Sequence, residues 1–140
     1  MKNEPLKRTK IQKVCIIDDD PIFVYGTKRI MDEVDFCDEV IVYHDGQEAL
    51  DGLNEMNQRG EELPSIIFVD LNMPVMNGWE FLEDFIKIDN HNRDKVIVYI
   101  ISSSVDPRDL EQIRNYPVVN QYILKPITPE ALENVLRDVE

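Results

Sequence analysis

The stretch Ile66-Ile67-Phe68-Val69-Asp70-Leu71-Asn72-Met73-Pro74 decides the fold. Its apolar residues are continuous, with no polar residue at every second place, and they end abruptly on a carboxylate followed by a turn-forming segment. A strand reads this way when it is parallel to its neighbours and helices cover both of its faces. Working outward, the Val- and Ile-rich runs 14–17, 40–43, 96–101 and 118–124 are further strand candidates, most of them equally continuous. Between and after them lie helix-like segments at 22–33, 48–58, 79–88, 110–115 and 129–139. In the second of these, Ala49, Leu50, Leu53 and Met56 share one helical face. Thr128-Pro129 and Asp106-Pro107 each place a capping side chain before a proline suited to the first helical position, so the fourth and fifth helices start there. Strict alternation of strand and helix with right-handed crossovers gives an α/β, doubly wound sheet with helices on both faces.

The bulk numbers agree. At 140 residues, with 43% hydrophobic and 31% charged residues, the chain suits one soluble domain. No apolar run approaches the ~20 residues that a membrane span needs. Residues 1–11, carrying Lys2, Lys7, Arg8 and Lys10 without an apolar segment behind them, read as a flexible, solvated arm before a domain over 12–140, and the location expected is cytoplasmic. A net charge of −13 disfavours direct binding to nucleic acid. Cys15 and Cys37 lack metal-ligand spacing and are expected as reduced thiols, His44 and His91 have no ligand cluster around them, and the polar stretch 57–64 is expected to be a surface loop.

In an open α/β sheet the ligand site lies beyond the carboxyl ends of the strands. The residues just past the apolar runs are Asp18, Asp19 and Asp20 after the first, Asp70 after the third, Ser102, Ser103 and Ser104 after the fourth, and Lys125 after the fifth. If the strand order is 2-1-3-4-5, these ends converge on one crevice, and strand two contributes nothing. Carboxylates crowded at one edge repel unless a cation joins them, and oxygen ligands suit Mg²⁺ or Mn²⁺. A carboxylate beside a cation, faced by a lysine and a hydroxyl, has the parts for phosphoryl chemistry, and Asp70 is best placed for attack.

Together, Ile16-Ile17-Asp18-Asp19-Asp20-Pro21, Val69-Asp70-Leu71-Asn72-Met73-Pro74-Val75-Met76-Asn77-Gly78, the hydroxyl of Ser102 and Tyr122-Ile123-Leu124-Lys125-Pro126 resemble the receiver domains of bacterial response regulators. Each piece alone is common; in this order and spacing they are specific, and they cover about 12–139. The resemblance implies a flavodoxin-like (βα)5 sandwich with a five-stranded parallel sheet in the order 2-1-3-4-5. It implies that Asp70 accepts a phosphoryl group from a sensor histidine kinase or histidine phosphotransfer protein. Asp18, Asp19, Asp70 and the carbonyl of Asn72 would hold Mg²⁺ or Mn²⁺, leaving Asp20 spare, while Lys125 and Ser102 would each meet a phosphoryl oxygen. Movement of Ser102 would let Tyr122 change rotamer and remodel the face of the fourth helix, fifth strand and fifth helix toward a downstream protein target. Such a domain is no enzyme in the ordinary sense; it catalyses only its own phosphorylation and dephosphorylation.

Ser102 stands where Thr is commoner in that family, the segment between Asp19 and Asp70 is somewhat long, and the chain ends directly after the fifth helix, as in stand-alone receivers. A cis bond suits Lys125-Pro126. Apolar residues of the last two helices, including Ile113, Leu132 and Leu136, leave room for a homodimer, although helical periodicity puts much of that surface in the core. The bland readings are an acidic loop capping the first helix for one of Asp18 to Asp20, a solvated Lys125, a half-buried Tyr122 that only packs, and Trp79 and Phe81 as packing residues of the third helix. Two rival functions stay open. One is a phosphatase of the haloacid dehalogenase type, with Asp18 as nucleophile and Asp20 as acid/base, although Ile22 and the short chain fit that family poorly. The other is a receiver-like adaptor that is never phosphorylated, whose usual mark is a missing Asp or Lys; none is missing here.

Overall fold

The computed structural model describes residues 11–88 and 95–139. Five strands, β1 (Ile11–Ile17), β2 (Cys37–Tyr43), β3 (Ile66–Asp70), β4 (Ile97–Ser102) and β5 (Val119–Leu124), form one sheet in the order β2-β1-β3-β4-β5. All neighbours run parallel. Helices α1 (Pro21–Glu33), α2 (Gly46–Gln58), α3 (Gly78–Phe85), α4 (Pro107–Gln112) and α5 (Pro129–Asp138) fill the connections, and a single 3₁₀ turn, Ile113–Asn115, follows α4.

The unbroken apolar runs reflect two cores, one on each face. In β1, β3 and β4 alternate residues go to opposite sides, as the pleat demands. Cys15, Ile17, Ile67, Val69, Val98 and Ile100 join Leu50 and Leu53 of α2 and Phe81 and Phe85 of α3. Val14, Ile16, Phe68, Tyr99 and Ile101 join Met31 of α1 and Leu132, Val135 and Leu136 of α5. Every residue of β3 is buried, whereas the edge strands β2 and β5 are only partly covered.

Helix starts are set by side-chain caps. Asp20, Asp45, Asn77, Asp106 and Thr128 each accept a hydrogen bond from a first-turn N–H of α1 to α5 in turn, and Asn77 forms a reciprocal capping box with Glu80. Two helix ends close in the same way. After α2, Gly60 takes φ +76°, with Glu61 N–H bonded to Met56 C=O and Gly60 N–H to Asn57 C=O. After α1, Asp35 takes the left-handed conformation, φ 54°, and delivers Phe36 into the core.

Several boundaries differ from expectation. β2 begins at Cys37 because backbone pairing with β1, Ile11 to Cys37 and Lys13 to Glu39, recruits polar residues at an edge. α3 stops at Phe85, where the next turn tightens to i→i−3 bonds from Lys87 and Ile88. The stretch 57–64 is not all surface loop: Asn57 and Gln58 end α2, and Leu63 and Pro64 are buried. Ile11, expected in the arm, is buried in β1, and residues 1–10 and His91 lie outside the described residues. Leu132 and Leu136 are buried in the core, and Ile113 packs partly buried against it.

α4 is attached unlike the other helices, since none of its residues is buried. Trp79 of α3 donates its indole N–H to Asp109 of α4 at 3.0 Å and stacks on Tyr116 at 5.4 Å, and Tyr116 donates to Glu83 of α3 at 2.5 Å.

The junction of β3 and α3 has no spare room. A Cβ on Gly78 would lie 2.9 Å from the backbone oxygen of Asp70 and 3.0 Å from Leu71 Cα. Gly78→Ala is therefore expected to destabilise the fold by about 1–3 kcal/mol in urea titration; an unchanged midpoint would show that α3 can withdraw without cost.

Candidate functional site

Register brings the polar strand ends together. Ile17 pairs with Val69, so Asp18 and Asp70 follow side by side. Asp70 pairs with Ile101, and Ser102 with Leu124, which puts Ser102 and Lys125 at the next steps along the same edge. The backbone N–H of Lys125 bonds to Ser102 C=O at 2.9 Å, and the Lys125–Pro126 bond is cis. β2 supplies no side chain, but its Tyr43 carbonyl accepts the N–H of Asp18 at 3.0 Å.

Asp18 is fully buried, Asp70 is 5% exposed and Ser102 2% exposed. The Lys125 ammonium lies 2.8 Å from Asp18 Oδ2 and 3.5 Å from Asp70 Oδ2. The shorter approach is an ion pair but not an aligned hydrogen bond, and Asp18 Oδ2 has no hydrogen-bond partner. Asp18 Oδ1 accepts the N–H of Asp20 at 2.9 Å, and Asp70 Oδ1 accepts the N–H of Asn72 at 3.2 Å. Burial and then the Asp18 carboxylate raise the pKa of Asp70, against the opposing pull of the Asn72 N–H and Lys125. For Lys125, burial pulls the pKa down, but the two carboxylates outweigh it and the net direction is up.

Ligand atoms of Asp18, Asp19 and Asp70 lie within 4.8 Å of one another. Three carboxylates against one ammonium leave two negative charges in excess, and the buried Asp18 Oδ2 lacks a hydrogen bond. The residues fit a divalent cation with a preference for oxygen, Mg²⁺ or Mn²⁺. Asp20 is turned away from this work: its Oδ1 accepts the N–H groups of Ile22 and Phe23 and caps α1. Asp20-Pro21 carries the same signal as Asp106-Pro107, so the sequence held this assignment. An acid/base role for Asp20 is poorly served by a carboxylate so engaged.

The loop after Asp70 turns sharply. Val75 is 90% exposed at φ 70°, an uncommon conformation for a β-branched residue, and Met76 N–H reaches back to Pro74 C=O at 2.7 Å. On the far side, Ser102 Oγ accepts the N–H of Ser104 at 3.3 Å, and the half-buried Tyr122 donates its hydroxyl to Ser104 C=O at 2.5 Å. The two residues expected to switch thus share Ser104. Sequence reading missed that Lys125 sits nearer Asp18 than Asp70, that the Phe23 ring lies by its ammonium, and that Trp79 bridges to α4. No local pattern encodes such contacts between distant segments.

No helix among the described residues is long and apolar enough to cross a membrane. The family profile described as response regulator receiver domain matches residues 14–137. A crystal structure of a two-component response regulator from Cytophaga hutchinsonii superposes with a TM-score of 0.85 at 37% identity, covering 93% of this chain and 97% of that one. In sequence, the chain is 35% identical over 137 residues to the transcriptional regulatory protein DegU of Brevibacillus brevis, covering 98% of this chain and 53% of DegU. It is 29% identical over 133 residues to hybrid signal transduction histidine kinase C of Dictyostelium discoideum, covering 91% of this chain and 10% of the kinase. It thus spans about half of one of these relatives and a tenth of the other. With the fold, the sheet order and the family match in agreement, this chain belongs to the response regulator receiver domains of two-component signalling.

Proposed function

We propose that Asp70 is the phosphoacceptor. Its carboxylate oxygen would attack the phosphorus of a phosphohistidine on a histidine kinase or phosphotransfer protein; the N–P bond breaks, the imidazole leaves and an acyl phosphate forms. One observation carries the reading: buried Asp70 meets Asp18, the Lys125 ammonium and the register position of Ser102 at a single sheet edge. Asp18, Asp19, Asp70 and the Asn72 carbonyl would hold Mg²⁺ or Mn²⁺, which supplies charge neutralisation to the transferring group. Lys125 would neutralise one phosphoryl oxygen and the Ser102 hydroxyl would donate to another.

Turning of Ser102 toward a phosphoryl group would weaken the long bond that its Oγ accepts from the N–H of Ser104. Ser104 also receives the Tyr122 hydroxyl, so we infer that release of one bond loosens the other and changes the face built by α4, β5 and α5. A helix with no buried residue is cheap to shift, which supports α4 as the moving part. That face would then be read by a downstream protein.

Incubation with phosphoramidate and Mg²⁺ is expected to add one phosphoryl mass to the wild type and none to Asp70→Asn, as read by intact-mass spectrometry. No gain in the wild type with any divalent metal would leave the adaptor reading, and phosphate release that survives the substitution would point to a phosphatase.

Because Mg²⁺ binds the folded state, a concentration ten times its dissociation constant should stabilise the fold by about 1.4 kcal/mol and raise Tm by about 4 °C. A Tm indifferent to millimolar Mg²⁺ would argue against the metal site.

In metal-free buffer the raised pKa of Asp70 means that the folded state binds its proton more tightly than the unfolded chain does. Its contribution to stability is present below the ordinary carboxylate pKa and is lost as pH rises through the raised value. Asp70→Asn should accordingly raise Tm at neutral pH, with an advantage that shrinks on acidification through that window. An advantage independent of pH would refute this account.

A further inference from the structure

We propose that Phe23 is a positioning residue for the Lys125 ammonium, an inference that rests on the reading of Lys125 as partner to the phosphoryl group. The Phe23 ring centroid lies 4.4 Å from Lys125 Nζ, inside the ~6 Å range over which an aromatic face attracts a cation. With Asp18 Oδ2 at 2.8 Å and Asp70 Oδ2 at 3.5 Å, the ring is the third group held against this nitrogen, and the only apolar one of the three.

The ring is itself well fixed. Phe23 is in the first turn of α1, its N–H donates to Asp20 Oδ1 at 3.3 Å, and its side chain packs partly buried on the core beneath α1 and α5. Asp20 in turn donates its own N–H to Asp18 Oδ1. One turn of backbone therefore sets both the carboxylate and the ring that hold the ammonium. Lysine has a long stem with much rotamer freedom to lose. Only 17% of the Lys125 side chain is exposed, and the ring helps to cover it. A charge that must meet phosphoryl oxygen is more effective when it needs no reorganisation, and Phe23 supplies that order without touching the reacting atoms.

The test compares wild type, Phe23→Leu and Phe23→Tyr, with and without Lys125→Met. Leucine keeps apolar packing and lacks the π face; tyrosine retains it. The rate of phosphorylation by phosphoramidate and Mg²⁺ should fall about three- to tenfold in Phe23→Leu, recover in Phe23→Tyr, and be indifferent to residue 23 once Lys125 is replaced. In parallel, the ε-methylene protons of Lys125, shifted upfield by the ring, should move downfield in Phe23→Leu and stay in place in Phe23→Tyr. Equal rates in wild type and Phe23→Leu, an equal loss in the Lys125→Met background, or an unmoved ε-methylene resonance would each overturn the proposal. Wild type that takes no phosphoryl group counts against the Asp70 reading alone, since the resonances then decide the placement of Lys125 by themselves.

Discussion

Two carboxylates held side by side at low exposure are the constraint around which this molecule is arranged. Pairing of Ile17 with Val69 leaves Asp18 and Asp70 as neighbours at the sheet edge, and both are buried. Like charges so placed are unfavourable unless cations join them. Lys125 from the last strand answers part of the charge, and its backbone is tied to Ser102 of β4. The negative charge that remains, on three carboxylates whose oxygens lie within 4.8 Å of one another, fits a divalent ion. A sheet of the same order with apolar residues at these ends would be easier to stabilise and would carry no such charge.

Much of this was legible in the sequence because the central strands are covered on both faces. Residues such as Ile66, Ile67, Phe68 and Val69 must all be apolar when each successive side chain enters one of two cores, and few architectures besides a doubly covered sheet produce that pattern in so short a run. The residues after each run then follow as site candidates from topology alone. Edges were harder. Cys37 to Glu39 join β2 through backbone pairing that side-chain polarity conceals, and Leu63 and Pro64 are buried although their neighbours are polar.

Within the site, the identities of Asp18, Asp70, Ser102 and Lys125 could be read, but not which partner each prefers. That Lys125 leans toward Asp18, or that Phe23 lies by it, depends on side-chain placement across elements far apart in the chain. The division of labour in Asp18-Asp19-Asp20 was half visible. A proline after Asp20 marks that residue as a helix cap, and Asp20 stands outside the cluster of Asp18, Asp19 and Asp70 carboxylates.

The attachment of α4 has an optical meaning. Trp79 is the chain's single tryptophan, and its indole has its N–H on the Asp109 carboxylate and its face on Tyr116. Indole emission responds to both the polarity and the quenching groups at its edge. The residue that fastens α3 to α4 is thus also a built-in fluorophore, whose colour and intensity register whether that helix is seated, with no dye attached and no competing indole elsewhere in the chain.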